Sequence, residues 1–138
     1  MAAQTYVEIA KSAVKDIFDS KFKANAVKAM GSAAEASVDK NGKLTRTKPK
    51  EKGAKGWSVD CSLESMAPDK AGKLLEGKVS MFVSTWPNKV VKAMPSAKAV
   101  IPIRSADKVS VGEIEDLAGM LAGSAMKAAV KFMESTTP

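Results

Sequence analysis

The chain has 138 residues, of which 45% are hydrophobic and 5% aromatic, and its net charge is +7. This suits one domain whose core is built from aliphatic residues, Met and Ala rather than rings. With no His and one Cys, Cys61, the sequence excludes an intrachain disulfide, a Cys–His pair, the usual zinc ligand sets and a near-neutral histidine switch.

Met1-Ala2-Ala3-Gln4 lacks the charged-then-apolar pattern of a secretory signal. No apolar run reaches the length needed to span a membrane. The compartment is left open.

Thr5 and Glu8 have the spacing of a capping box. Val7, Ala10, Val14, Ile17, Phe18, Phe22, Val27 and Met30 then recur mostly every three or four residues. This predicts an amphipathic helix, less regular near Asp19-Ser20, that stops at Gly31-Ser32. The Asn41-Gly42 pair is a hairpin-turn signal and predicts a small hairpin of Ser37–Asp39 with Lys43–Thr45. Residues 48–56 show no periodicity and read as a flexible loop. Between Lys40 and Lys55 there are seven Lys or Arg and one acid, Glu51, so the excess charge is concentrated here.

Trp57, Val59, Cys61 and Leu63 alternate with Ser58, Asp60, Ser62 and Glu64. This predicts a strand with one buried face. Leu74 to Ile103 reads as a long hairpin with Trp86-Pro87-Asn88 at its tip. Its odd-numbered residues, from Gly77 through Ile103, share the buried phase. The opposite face is mostly Ser and Lys but also holds Val90, Met94 and Val100. Pro95 and Pro102 cannot donate to a ladder, which makes the second arm an edge or an interrupted strand. Ser110 and Glu113 form a second capping box before a helical stripe of Ile114, Leu117, Ala118, Leu121, Ala125, Ala128 and Phe132. Residues 135–138 form a frayed tail. Gly119 and Gly123 on this helix predict a close approach to the first helix or to the sheet, or else a helix-mediated dimer.

The expected fold is a single α+β domain with a three-stranded antiparallel sheet, possibly extended to four or five strands. The N- and C-terminal helices would cover one face.

Catalytic motifs are not evident. Asp39 to Leu44 loosely resembles part of a calcium loop, but Lys48 would occupy the position of the bidentate acid. Ser12-x-x-Lys15 lacks the companion elements of a serine nucleophile, and there is no phosphate-loop or dinucleotide fingerprint. The chain therefore reads as a non-enzyme with no cofactor and no metal site. The expected function is protein interaction or self-assembly through the hairpin tip (Trp86, Pro87, Asn88), an edge strand and Trp57. The competing reading is binding to nucleic acid or another anionic surface by Lys43, Arg46, Lys48, Lys50, Lys52 and Lys55.

Overall fold

The computed structural model describes residues 4–138. In chain order the strands are β1 (Thr5–Ile9), β2 (Ala13–Val14), β3 (Leu44–Thr45), β4 (Gly56–Pro68), β5 (Leu74–Trp86), β6 (Val91–Ala93) and β7 (Ser96–Pro102). The helices are α1 (Lys23–Asp39), preceded by a 3-10 turn at Ser20–Phe22, and α2 (Val111–Ser135). The seven strands form one curled, mixed sheet in the order β3-β1-β4-β5-β6; β2 also pairs with β4 and β7 with β5.

The C-terminal two thirds match the sequence pattern closely. Trp57, Val59, Cys61 and Leu63 on β4 face the core with Val79, Met81 and Val83 on β5. The two strands pair antiparallel from Gly56↔Trp86 to Pro68↔Leu75, with one irregularity between Leu63 and Ser65. The Ser110–Glu113 capping box forms in both directions. It satisfies two orphan donors and starts α2 where the stripe predicts. The second hairpin arm is interrupted at Met94-Pro95, splitting it into β6 and β7.

The N-terminal third departs from expectation. Thr5–Ile9 is a strand, and the sheet is mixed rather than purely antiparallel. β1 runs parallel to both neighbours, with Tyr6 opposite Thr45 of β3 and Gly56 of β4. Thr5, Tyr6, Val7 and Ile9 are β-branched or aromatic, a composition suited to a pleated surface. The Thr5–Glu8 spacing only imitates a helix cap. The real helix begins after Phe22 and buries Ala26, Met30, Ala34 and Val38, a strict i, i+4 row. It runs through Gly31-Ser32 without stopping. Ser37–Asp39 is the last part of this helix rather than a hairpin arm. Asn41 forms a side-chain turn instead, its Oδ1 accepting from the Lys43 N–H at 2.8 Å.

Both helices cover the same face of the sheet, as expected. Cys61 of β4 meets Met30 of α1 with its sulfur 3.8 Å from the thioether. The close approach occurs at Gly77 on β5 rather than at Gly119 and Gly123 of α2. A Cβ at Gly77 would lie 2.7 Å from Leu121 Cδ1, whereas Gly119 and Gly123 have nothing within 4 Å. Ala118, Ala122, Ala125 and Ala129 are the small residues of α2 that are buried.

Burial also determines the chemistry of Cys61. Desolvation pushes its thiol up to about 12, so almost no thiolate exists at neutral pH. A thiol-reactive disulfide reagent at pH 8 should leave Cys61 essentially unmodified in the folded protein and label it fully in denaturant. Rapid labelling of the native chain would contradict the burial.

Candidate functional site

The outer face of the sheet, opposite the helices, gathers the groups of interest at the hairpin-tip end. Tyr6, Gly56 and Trp86 lie in one row across β1, β4 and β5. Gly56 has no side chain, so the two flanking rings meet across it, edge to face, with centroids 4.7 Å apart. A Cβ on Gly56 would lie 2.5 Å from the Tyr6 carbonyl oxygen.

The next row out holds Glu8, Ser58 and Ser84. Ser58 Oγ donates to Glu8 Oε1 at 3.0 Å. Lys89 Nζ reaches over from the hairpin turn and donates to Glu8 Oε1 at 2.5 Å and to Ser58 Oγ at 2.6 Å. This geometry needs the turn: Lys89 takes a left-handed backbone (φ 60), and its N–H donates to Thr85 O at 2.8 Å. The Lys89 hydrogen bond holds the Glu8 carboxyl below its ordinary range, against desolvation that raises it. Burial raises the Tyr6 phenol. The group is a polar clamp that fixes the hairpin tip against β1. The Lys89 ammonium and the Glu8 carboxylate form an ion pair within it.

The basic loop passes over this same end. It leaves β3 at Thr45 and enters β4 at Gly56, and both positions lie level with Tyr6 on either side of β1. Lys48 is brought to 6.0 Å from the Trp86 ring centroid, a cation–π distance. Arg46 turns the other way and forms two 2.8 Å hydrogen bonds to the Asp39 carboxylate and a 3.1 Å ion pair to Glu35. These bonds anchor the loop to α1 and hold the Asp39 carboxyl low. Lys50, Lys52 and Lys55 line the rest of the loop and Lys43 lies just before β3; all four are exposed.

The structure thus brings together Trp86 and Lys48 of the expected contact residues, with Pro87 and Asn88 exposed at the tip. Trp57 requires a correction, because it is fully buried and meets Phe132 edge-on at 5.5 Å. It faces the helices because its odd phase is the core phase of β4. Tyr6, Glu8 and Lys89 join the site without being expected there. The signal for Tyr6 and Glu8 lies in the β-rich run Thr5–Ile9, which the helical spacing of the residues beyond it obscures, while Lys89 sits in the turn beside the expected Trp86-Pro87-Asn88 tip.

Farther along the hairpin, β7 pairs only with β5 among the described residues and leaves its outer edge free. Pro95 O accepts from Met81 N–H and Ile103 N–H donates to Lys73 O. Odd-numbered residues of β7 therefore turn their backbone groups toward β5. The N–H groups of Ser96, Lys98 and Val100 point away from the sheet. The even phase also leaves Met94 and Val100 64% and 52% exposed and Val90 close to half exposed; Val91, expected on the buried odd phase, is also about half exposed, because β6 pairs β5 with a register shift at Val83/Ser84.

No family model matches the sequence, and neither does any curated protein. Solved structures do share its fold. The PelC dodecamer from Paraburkholderia phytofirmans aligns with a TM-score of 0.54 at 12% identity, covering 91% of this chain and 89% of that one. A protein from Xanthomonas campestris aligns at 0.57 and 7% identity, covering 93% and 82%. A minor lipoprotein from Acinetobacter baumannii aligns at 0.50 and 7% identity, covering 91% and 92%. At such identities the likeness is one of fold. Among the described residues, no helix is long and apolar enough to cross a membrane.

Proposed function

We propose that this chain is a non-catalytic assembly module that associates with further copies of itself through the β6–β7 edge and the adjoining hairpin tip. The observation that carries the reading is the free edge of β7: outward N–H groups on Ser96, Lys98 and Val100, flanked by exposed Met94 and Val100. Free strand edges are templates for strand addition, and apolar side chains beside them add affinity. Pro102 has no N–H, which limits the added strand to a short segment. The likeness to a protein that forms a dodecamer supports self-association over a foreign partner. The lipoprotein among the fold neighbours supports a setting at a bacterial membrane surface.

Light scattering after size exclusion tests this directly. The native chain should run as an oligomer. Met94→Lys with Val100→Lys should return it to a monomer while changing the melting temperature by no more than about 4 °C, since both side chains are exposed. Trp86→Ala should weaken association without abolishing it. If the native chain stays monomeric at concentrations up to about 1 mM, the affinity is too weak for assembly and the proposal fails.

The second reading is anion binding by the basic loop. Lys50, Lys52 and Lys55 extend from it, Lys43 lies before β3, and Lys48 sits beside the Trp86 ring. Arg46, with its guanidinium committed to Asp39 and Glu35, is not free to contribute.

A further inference from the structure

A different surface carries a separate inference. Where β1 gives way to β2, residues 10–12 leave the ladder, and the first half of α1 lies alongside. Between them is a groove of about 620 Å³ lined by Lys11, Ser12, Lys21, Lys23 and Lys28. A neighbouring lobe of about 290 Å³ shares Lys11, Ser12 and Lys28. Glu35 is the one carboxylate lining either lobe, and Arg46 holds it at 3.1 Å.

The charge in this groove is largely uncompensated. Lys21 leans on Asp19 at 3.6 Å. Lys11, Lys23 and Lys28 have no carboxylate within ion-pair distance among the described residues. The helical turn leading into α1 is capped by Asp19, whose Oδ1 accepts from the Lys21 N–H at 3.1 Å, so the groove's positive charge comes from its lysines rather than from the helix end. Ser12 supplies the independent sign of a ligand. It lines both lobes, is 6% exposed, and its Oγ has no hydrogen-bond partner among the described residues. A buried hydroxyl without a partner is costly and uncommon in a folded protein.

We infer that this groove binds a phosphate-bearing anion, with Lys11, Lys23 and Lys28 supplying charge and the Ser12 hydroxyl donating to a phosphate oxygen where the two lobes meet. Three uncompensated ammonium groups around one concavity match a multiply charged phosphate better than a single carboxylate. The ligand is either a lipid headgroup or a free phosphate compound. The inference is independent of the assembly reading.

Isothermal titration calorimetry with inorganic pyrophosphate tests it on the full chain. The expected result is saturable binding at one site per chain. Lys11→Gln with Lys28→Gln should weaken it about tenfold or more, and Ser12→Ala roughly threefold or more. Lys50→Gln with Lys52→Gln removes the same charge from the basic loop and should leave the affinity within about twofold. Non-saturable heats, or equal weakening by the loop pair, would overturn the assignment. Circular dichroism of each variant confirms that it is folded. Sedimentation with phosphatidylglycerol vesicles then separates the sources. Vesicle binding lost in the Lys11/Lys28 variant and competed by pyrophosphate identifies a lipid headgroup; pyrophosphate binding without vesicle binding identifies a free anion.

Discussion

Replacing Trp57 by alanine should lower the unfolding free energy by about 3–5 kcal/mol, a large part of the roughly 5–15 kcal/mol that holds a domain together. Trp57 is the largest of the fully buried side chains and lies between β4 and α2 against Phe132. Its truncation leaves a cavity between the strand and α2 that its neighbours fill only in part. The indole N–H has no hydrogen-bond partner among the described residues, so Trp57→Phe sheds an unsatisfied donor along with some volume and should cost only about 1 kcal/mol. Trp86→Ala, at a partly exposed ring, should cost about 1 kcal/mol or less. Urea unfolding monitored by far-ultraviolet dichroism measures all three. A loss below about 1 kcal/mol for Trp57→Ala would mean that β4 does not face the helices as described.

Gly56→Ala should cost about 2–3 kcal/mol despite adding a single methyl group, because the new Cβ meets backbone rather than a movable side chain. Its neighbour would be the Tyr6 carbonyl oxygen at 2.5 Å. Relief requires β1 to shift away from β4 and the Tyr6–Trp86 pair to open. A change in Trp86 fluorescence should therefore accompany the loss of stability. Gly31→Ala provides a control of opposite sign. It lies mid-helix in α1 with nothing within 4 Å of the added atom, and should stabilise the fold by about 0.5–1 kcal/mol. If both alanines act alike in the same urea assay, the close approach at Gly56 is wrong.

The elements legible in the sequence are those whose pattern and partners are local. The alternation of Trp57–Leu63 and Gly77–Val83 has a period of two, and the two strands are joined by a short link, so pattern and pairing agree. The Ser110–Glu113 box is complete within four residues. The apolar Val90, Met94 and Val100 also stand out in sequence, on a face that should be polar, and they are exposed in the structure. β1 is hard to read because its partners are remote: Ser58 bonds Glu8 across 50 residues. No window of local sequence contains that pairing, and the residues after β1 carry a helical spacing of their own. β3 is only two residues long, too short to leave a periodicity. The clamp of Glu8, Ser58 and Lys89 depends on β1, so it is hidden for the same reason. In the basic loop, charge is visible but its satisfaction is not: only the fold shows that Arg46 is held by Asp39 and Glu35.

The place of β1 between two parallel neighbours has a kinetic consequence. A strand flanked by β3 and β4 cannot form a hairpin with the next segment of chain, and its first pairing must wait until the chain has come back from α1. The β4–β5 hairpin and α2 are local and can form early, within microseconds for such units. The closing of β1 against residues 56–59 carries the cost of ordering a long intervening loop. Folding of this domain should therefore be limited by capture of its N-terminal strand, at the millisecond-to-second rates typical of non-local sheets. During synthesis on the ribosome, that strand emerges before β3 and β4 and remains unpaired until they have left the tunnel.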